Sequence, residues 1–260
     1  MIRKQTLNEW FTTYQLRSIG RQHFHLPVLQ DVDVTSIAAH YIGQSVPWTT
    51  VCIQVFSAAA RAYSPLNRMV FHTPFGMRVV EPSYIALNIP VLLRGVDPEY
   101  LSATTLENAD QKTIHQLHSE IRTAASRKPS DLPIGKLIIG KPNTFLNRLR
   151  LRVVHAIVYA SPRAFLKYRA GALSFSSLFM FHRPGLSVRP VSYGPTGVTL
   201  CGMSVVQTPE GKSILKLGVG VDHYALSGAE GARALSEIAR QFELWRPEIS
   251  DPPGKTSTLL

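Results

Sequence analysis

His223 is the residue of this chain best placed to do acid–base chemistry. It follows Asp222 where an alternating pattern of apolar residues gives way to a helical one. An imidazole with a pKa near 6.5 is poised at neutral pH to take a proton from a thiol, hydroxyl or amine. A histidine held between two regular elements is fixed in place yet lies near an edge that substrate can reach. The chain has 9 histidines, so position and not residue type singles this one out. His115 and His118 stand at i and i+3, but no carboxylate completes a metal-ligand pattern, and a solvated helix face suits them better. No Gly-x-x-x-x-Gly-Lys-Ser/Thr, Cys-x-x-Cys or His-Glu-x-x-His sequence occurs. Nucleotide hydrolysis and zinc chemistry therefore lack support, and no metal site is expected. Gly218-x-Gly220 lacks the rest of a dinucleotide fingerprint and reads as strand packing.

The elements that must hold His223 are legible on both sides of it. Upstream, Ser213, Leu215, Leu217, Val219 and Val221 interleave with Ile214, Lys216, Gly218, Gly220 and Asp222, the period of two of a strand. Downstream, Leu235, Ile238, Ala239 and Phe242 recur at helical spacing, and Ser227-x-x-Glu230 is a capping-box pattern at the start of that helix. Elsewhere, a short helix is expected around Leu7, Trp10, Phe11 and Tyr14, a long strand over 23–34, and a helix over 49–63 with Cys52, Phe56, Ala59 and Tyr63 on one face. One or two buried strands are expected over 84–93, then a loop, then a helix from about Ala109 to Ala125, then a turn-rich break over 128–135. Residues 171–178 alternate like another strand.

Residues 143–169 form a distinctive stretch. Arg148, Arg150, Arg152, Arg163, Lys167 and Arg169 interleave with Phe145, Leu146, Leu149, Leu151, Val153, Ile157 and Phe165. The pattern predicts a basic amphipathic helix broken near Ser161-Pro162, where proline removes a donor and clashes with the preceding turn. A solvated face is favoured over a helix that docks on lipid or a partner.

Composition bounds the class. With 260 residues, 45% hydrophobic and 17% charged, the chain can bury a large core as a folded globular protein. Cys52 and Cys201 show no paired spacing and read as small core residues in a reducing compartment. No signal peptide and no membrane-length apolar run are apparent, so a cytoplasmic location is expected. The net charge of +11 favours anionic partners in general, nucleic acid, a membrane surface or a phosphorylated ligand. No recognisable nucleic-acid motif supports the first of these, and nucleic acid is not expected as a partner.

Asp222-His223-x-x-x-Ser227-Gly228-Ala229 resembles the Asp-His-Arg-x-x-Asp-Gly-Ala signature of the acyltransferase components of 2-oxo acid dehydrogenase complexes, and the His-x-x-x-Asp-Gly shared with chloramphenicol acetyltransferase. Two further blocks follow suit. Asp33-Val34-Thr35 is similar to the family's Val-Asp-Val-Thr strand end, and Gly171-Ala172-Leu173-Ser174-Phe175-Ser176-Ser177-Leu178 to its Gly-Thr-Phe-Thr-Ile-Ser-Asn-Leu. Pro65-Leu66-Asn67, Tyr193-Gly194-Pro195 and the strand from Val198 to Met203 fall where the family has comparable segments, so the resemblance spans about residues 17 to 244. Serine replaces aspartate at Ser227, serine replaces asparagine at Ser177, and phenylalanine replaces glycine at Phe179.

The resemblance implies an α/β (α+β) fold, a chloramphenicol acetyltransferase-like mixed sheet flanked by helices, as a single domain over 1–260 with the basic 143–169 stretch as an insertion. It implies a homotrimer, open to larger assembly, whose active site takes a histidine from one subunit and a serine from the next. It makes His223 the general base and Ser176 the oxyanion donor, with Ser227 at the site-organising aspartate. The cofactor implied is coenzyme A, as acyl-coenzyme A co-substrate, with no covalent lipoyl group on this chain. The lipoyl and subunit-binding domains of complete relatives are not expected, so the acyl donor is free acyl-coenzyme A or a group on a separate carrier protein or lipoyl domain. The competing expectation, raised by Ser227 and Phe179, is a catalytically inactive trimeric scaffold of the same fold.

Overall fold

The computed structural model describes residues 5–93, 100–128, 135–167, 171–179, 188, 190 and 194–247. The chain opens with α1 (Leu7–Gln22), β1 (His25–Asp33), α2 (Thr35–His40) and α3 (Trp48–Ala62). A hairpin of β2 (Met69–Thr73) and β3 (Gly76–Val80) follows, then β4 (Ala86–Leu93) and β5 (Tyr100–Glu107). The helical stretch comprises α4 (Ile114–Ala125), α5 (Gly135–Ile138), α6 (Phe145–Ala160) and α7 (Pro162–Lys167). The C-terminal part runs β6 (Leu173–Ser177), β7 (Val198–Gln207), β8 (Ser213–Asp222) and α8 (Gly228–Leu244).

Among the described residues six strands make one mixed sheet in the order β1-β8-β7-β6-β4-β5, with β6 parallel to both its neighbours and the other pairs antiparallel. Its strands alternate as their sequences require. Leu215, Leu217, Val219 and Val221 of β8 and Phe175 of β6 join a core with Val51, Phe56 and Ala59 of α3 and Ala234, Ile238 and Phe242 of α8. Phe56 is the hinge of that core, with its ring 5.4 Å from Phe175 and 6.0 Å from Phe242. Cys52 and Cys201 are buried and free, as small core residues, and burial pushes the Cys201 thiol up to about 11.

The opposite side of β8 explains its glycines. A Cβ on Gly218 would lie 2.8 Å from the Val188 carbonyl oxygen, and one on Gly220 would lie 3.0 Å from that of Pro190. The Gly218-x-Gly220 alternation thus leaves room for Val188 and Pro190 against that face of β8, which is the close-packing role expected of it.

The basic stretch breaks into α6 and α7 at Ser161-Pro162, where the proline spacing predicts it, while Arg169 lies outside the described residues. Leu151 and His155 face inward against Phe11 and Tyr14 of α1. Arg148 and Arg152 place their guanidinium groups over Trp10, each 5.5 Å from its ring. The outward side is not simply a charged, solvated face, because Phe145, Leu146, Leu149, Val153 and Ile157 are exposed there beside Arg150 and Arg152.

Three expectations need correcting. The loop after residue 93 gives way to β5, an edge strand whose polar Ser102, Thr104 and Thr105 hide its pairing with β4. The β2–β3 hairpin was not expected from the sequence at all. The helix expected from Ala109 starts at Ile114, because Thr113 forms a capping box with Gln116 and residues 109–111 make only a 3-10 turn. Most of the break over 128–135, together with Tyr193, lies outside the described residues.

Replacing Phe56 by alanine removes the ring that joins α3 to both β6 and α8, and is expected to cost about 3–5 kcal/mol. Chemical denaturation of the two proteins measures this. A loss under about 1 kcal/mol would show that the core does not depend on this contact.

Candidate active site

His223 stands just past the end of β8 in an exposed turn, as its flanking periodicities predict. Four hydrogen bonds shape that turn. Asp222 N–H donates to the Gly197 carbonyl at 2.8 Å and His223 N–H to the Phe24 carbonyl at 2.8 Å, while Ala225 and Leu226 N–H both donate to the Asp222 carbonyl. The Phe24 ring lies 6.3 Å from the imidazole of His223, edge to face. The backbone of residue 223 is thus pinned on both sides while its imidazole is left at the surface.

Asp222 does the opposite. Its side chain is fully buried, accepting from Tyr224 N–H at 3.0 Å and facing His23 Nδ1 at 2.6 Å. A buried carboxylate is tolerated only when paired and hydrogen-bonded, and both conditions are met. Around it, burial holds His25 and His72 below the usual imidazole range, His23 pushing the same way and Asp222 opposing.

Ser227 caps α8. Its Oγ accepts from Glu230 N–H at 3.4 Å, its own N–H donates to Glu230 Oε2 at 2.9 Å, and its hydroxyl lies 2.9 Å from the same oxygen. The capping box read from the sequence is therefore formed. Arg68, which sequence reasoning missed, closes the network by donating from Nη1 to Glu230 Oε1 at 2.8 Å and to the Ala225 carbonyl at 3.3 Å. The Ser227 amide, the Arg68 guanidinium and the Ser227 hydroxyl together hold the Glu230 carboxyl down to about 2. An arginine–carboxylate pair is thus present beside the His223 turn, with its carboxylate three residues beyond Ser227.

Ser176 is half-buried near the end of β6. Alternation sends Phe175 and Ser177 toward α3 and Ser176 to the other face. Ser177 Oγ meets Thr49 Oγ1 at 2.7 Å. Phe179 packs beside Trp48, its ring occupying the space that a Cβ on Gly202 would need. The aromatic side chain at 179 is therefore accommodated by the glycine at 202.

One chain does not bring Ser176 and His223 together. Ser176 is level with Cys201 on β7 and, through it, with Gly218 on β8. Two interstrand steps of about 4.8 Å, and five further residues at about 3.3 Å each, separate the two Cα atoms by roughly 19 Å. Two surface hollows, of about 300 and 330 Å³, lie elsewhere, one beside α2 and Trp245 and the other between Trp10 and Arg152. Neither is lined by His223, Ser176 or Ser227.

With this geometry in hand, comparison with solved structures identifies the architecture. A probable dihydrolipoamide acetyltransferase from Listeria monocytogenes superposes with a TM-score of 0.66 over 96% of this chain and 97% of that one, at 16% identity. The fold is that of a dihydrolipoamide acetyltransferase catalytic domain. The catalytic core of the 2-oxoacid dehydrogenase complex from Thermoplasma acidophilum matches at a TM-score of 0.65 and 16% identity, over 94% of this chain and 98% of that one. The Azotobacter vinelandii dihydrolipoamide acetyltransferase matches at a TM-score of 0.65 and 16% identity, over 93% and 90% of the two chains. In that enzyme a serine, a histidine and, four residues after the histidine, an asparagine have been probed for their role in catalysis. Neither family models nor curated protein sequences match this chain. Among the described residues no helix is long and apolar enough to cross a membrane.

The Glu230 network generates a pH prediction. A carboxyl with its folded pKa lowered from 4.5 to about 2 adds stability that is complete above about 4.5 and is lost as pH falls through 2. Melting temperatures measured from pH 6 to 2.5 should therefore fall less steeply for Glu230→Gln than for the parent. Parallel curves would mean that the Arg68–Glu230–Ser227 network does not stabilise the fold.

Proposed function

We propose that this protein is an acyltransferase that moves an acyl group from coenzyme A, or from a carrier-bound thiol, to a thiol, hydroxyl or amine acceptor. The observation that carries the reading is the placement of His223, exposed at the end of β8 and directly before the capped α8, within a fold shared along nearly the whole chain with dihydrolipoamide acetyltransferases.

The chemistry needs one base and one oxyanion donor. His223 takes the proton of the acceptor as its sulfur, oxygen or nitrogen attacks the thioester carbonyl. The tetrahedral intermediate carries its negative charge on the former carbonyl oxygen, where the Ser176 hydroxyl donates a hydrogen bond. Collapse breaks the carbon–sulfur bond, and the leaving thiolate regains the proton from the imidazolium. No acyl-enzyme is required. A thiol near pKa 8.5 is only a few per cent ionised at neutral pH, which is why the base matters.

A separation of roughly 19 Å within one chain calls for a site shared between copies, with His223 from one subunit and Ser176 from its neighbour, as a homotrimer of this fold would provide. Around His223 the surface is rich in exposed apolar side chains: Phe24 and Leu26 at the start of β1, Tyr224 in the turn, and Met77 opposite His72 on the hairpin. Such a surface suits contact with another copy. Serine at 227 is compatible with catalysis, since the Arg68–Glu230 pair supplies the nearby organising charge and the Azotobacter vinelandii enzyme carries the uncharged asparagine at its own position four residues after the histidine.

Thiol release from a panel of acyl-coenzyme A donors and acceptors tests the reading. His223→Ala is expected to lower the rate by about 10²–10⁴ and Ser176→Ala by about 10²–10³. Equal background in the parent and both variants across the panel would favour the non-catalytic scaffold.

A further inference from the structure

His23 and His25 stand two residues apart at the entry to β1, and His25 lies directly opposite Asp222 in the β1–β8 register. Alternate residues of an extended chain, and cross-strand partners, project to one face. Here that is the face away from α3 and α8. The convergence is tight, with one ligand-capable atom from each of the three residues within 4.8 Å of the others. The side chains of His23 and Asp222 are 3% and 0% exposed. His72 of β2 adds a third imidazole, its ring 5.3 Å from that of His23.

The protein's own groups do not satisfy this cluster. Both ring nitrogens of His25, and Nε2 of His72, are closed off from solvent without a hydrogen-bond partner. Every imidazole carries at least one N–H that needs an acceptor, and an unmet buried polar group costs about 1–3 kcal/mol. Asp222, by contrast, is already oriented, since Tyr224 N–H holds its Oδ1. A carboxylate fixed by a backbone amide is the kind of outer support that metal-ligating carboxylates have. Two imidazoles and a carboxylate match zinc and its first-row neighbours, whereas calcium and magnesium take oxygen donors.

We propose that His23, His25 and Asp222 bind one divalent transition-metal ion of the zinc type, joining the α1–β1 link to the end of β8 immediately before His223. His72 lies beside the three ligands, its ring 5.3 Å from that of His23. Ligand atoms about 2.0 Å from a tetrahedral ion stand about 3.3 Å apart, so His23 and Asp222 need separate by less than 1 Å from their 2.6 Å contact. The ion replaces the hydrogen bond between them, and a proton held there leaves to solvent. The ligands come from segments about 200 residues apart in the chain, which is why no sequence motif contains them. Its ligands are distinct from the proposed acyltransfer residues His223 and Ser176, and Asp222 directly precedes His223 in the chain.

The full chain, stripped with a chelator and then titrated with ZnCl₂ in a calorimeter, tests the site. The parent is expected to bind one equivalent, with a melting temperature that rises with zinc concentration, and His25→Ala to bind about 100-fold more weakly. A His115→Ala/His118→Ala variant is expected to bind like the parent. Cobalt substitution of the unmutated protein gives a second readout, a tetrahedral absorption band, that needs no variant to fold. Less than a tenth of an equivalent bound, or undiminished binding in folded His25→Ala, would overturn the proposal, as would loss of binding in the His115→Ala/His118→Ala variant instead.

Discussion

The buried carboxylate of Asp222 is the constraint on which the candidate site rests. It ends β8, faces His23 at the exit of α1, and accepts the amide of Tyr224 on the far side of His223. Desolvating such a charge is expensive, so the residues that compensate it cannot drift without exposing a large penalty. The backbone of His223 is therefore held by its neighbour's burial, while its own ring stays at the surface. Rigidity beneath and access above are what a proton-transferring histidine requires.

A second constraint lies one turn further on. Ser227 gives its hydroxyl and amide to the start of α8, and Glu230 answers both it and Arg68. The resemblance sets an aspartate against Ser227, and the Azotobacter vinelandii enzyme has an asparagine four residues after its histidine. Here the carboxylate that pairs with arginine stands three residues later, where it also completes the helix cap. One side chain thus serves a local need, the unpaired amides of a helix start, and a tertiary one, the tie from α8 to the Arg68 segment.

What the sequence made legible follows from the range of the interactions involved. The strand–turn–helix around His223 and the Ser227 capping box rest on local periodicity and on contacts three residues apart, and both were readable. So was the break of the basic helix at Pro162. β5 was not, because its outward residues are polar and it owes its form to pairing with β4. The helix starts later than its apolar periodicity suggests, because that periodicity carries no trace of the cap that Thr113 forms. Arg68, and the meeting of His23, His25 and Asp222, depend on contacts across more than 150 residues. The fold itself was accessible through resemblance, in three blocks set in the right order, although the identity to solved relatives is only 16%.

The proposed acyl transfer needs His223 from one chain and Ser176 from another, since one chain holds them roughly 19 Å apart. Mixing decides this most directly. Differently tagged His223→Ala and Ser176→Ala chains are co-expressed, hybrids carrying both tags are purified, and thiol release from acyl-coenzyme A is measured. In a cyclic trimer that contains both chains, one of the three interfaces pairs an intact histidine with an intact serine, so the purified hybrids should recover about one third of the parental rate. Hybrids no more active than the two variants alone would contradict a shared site.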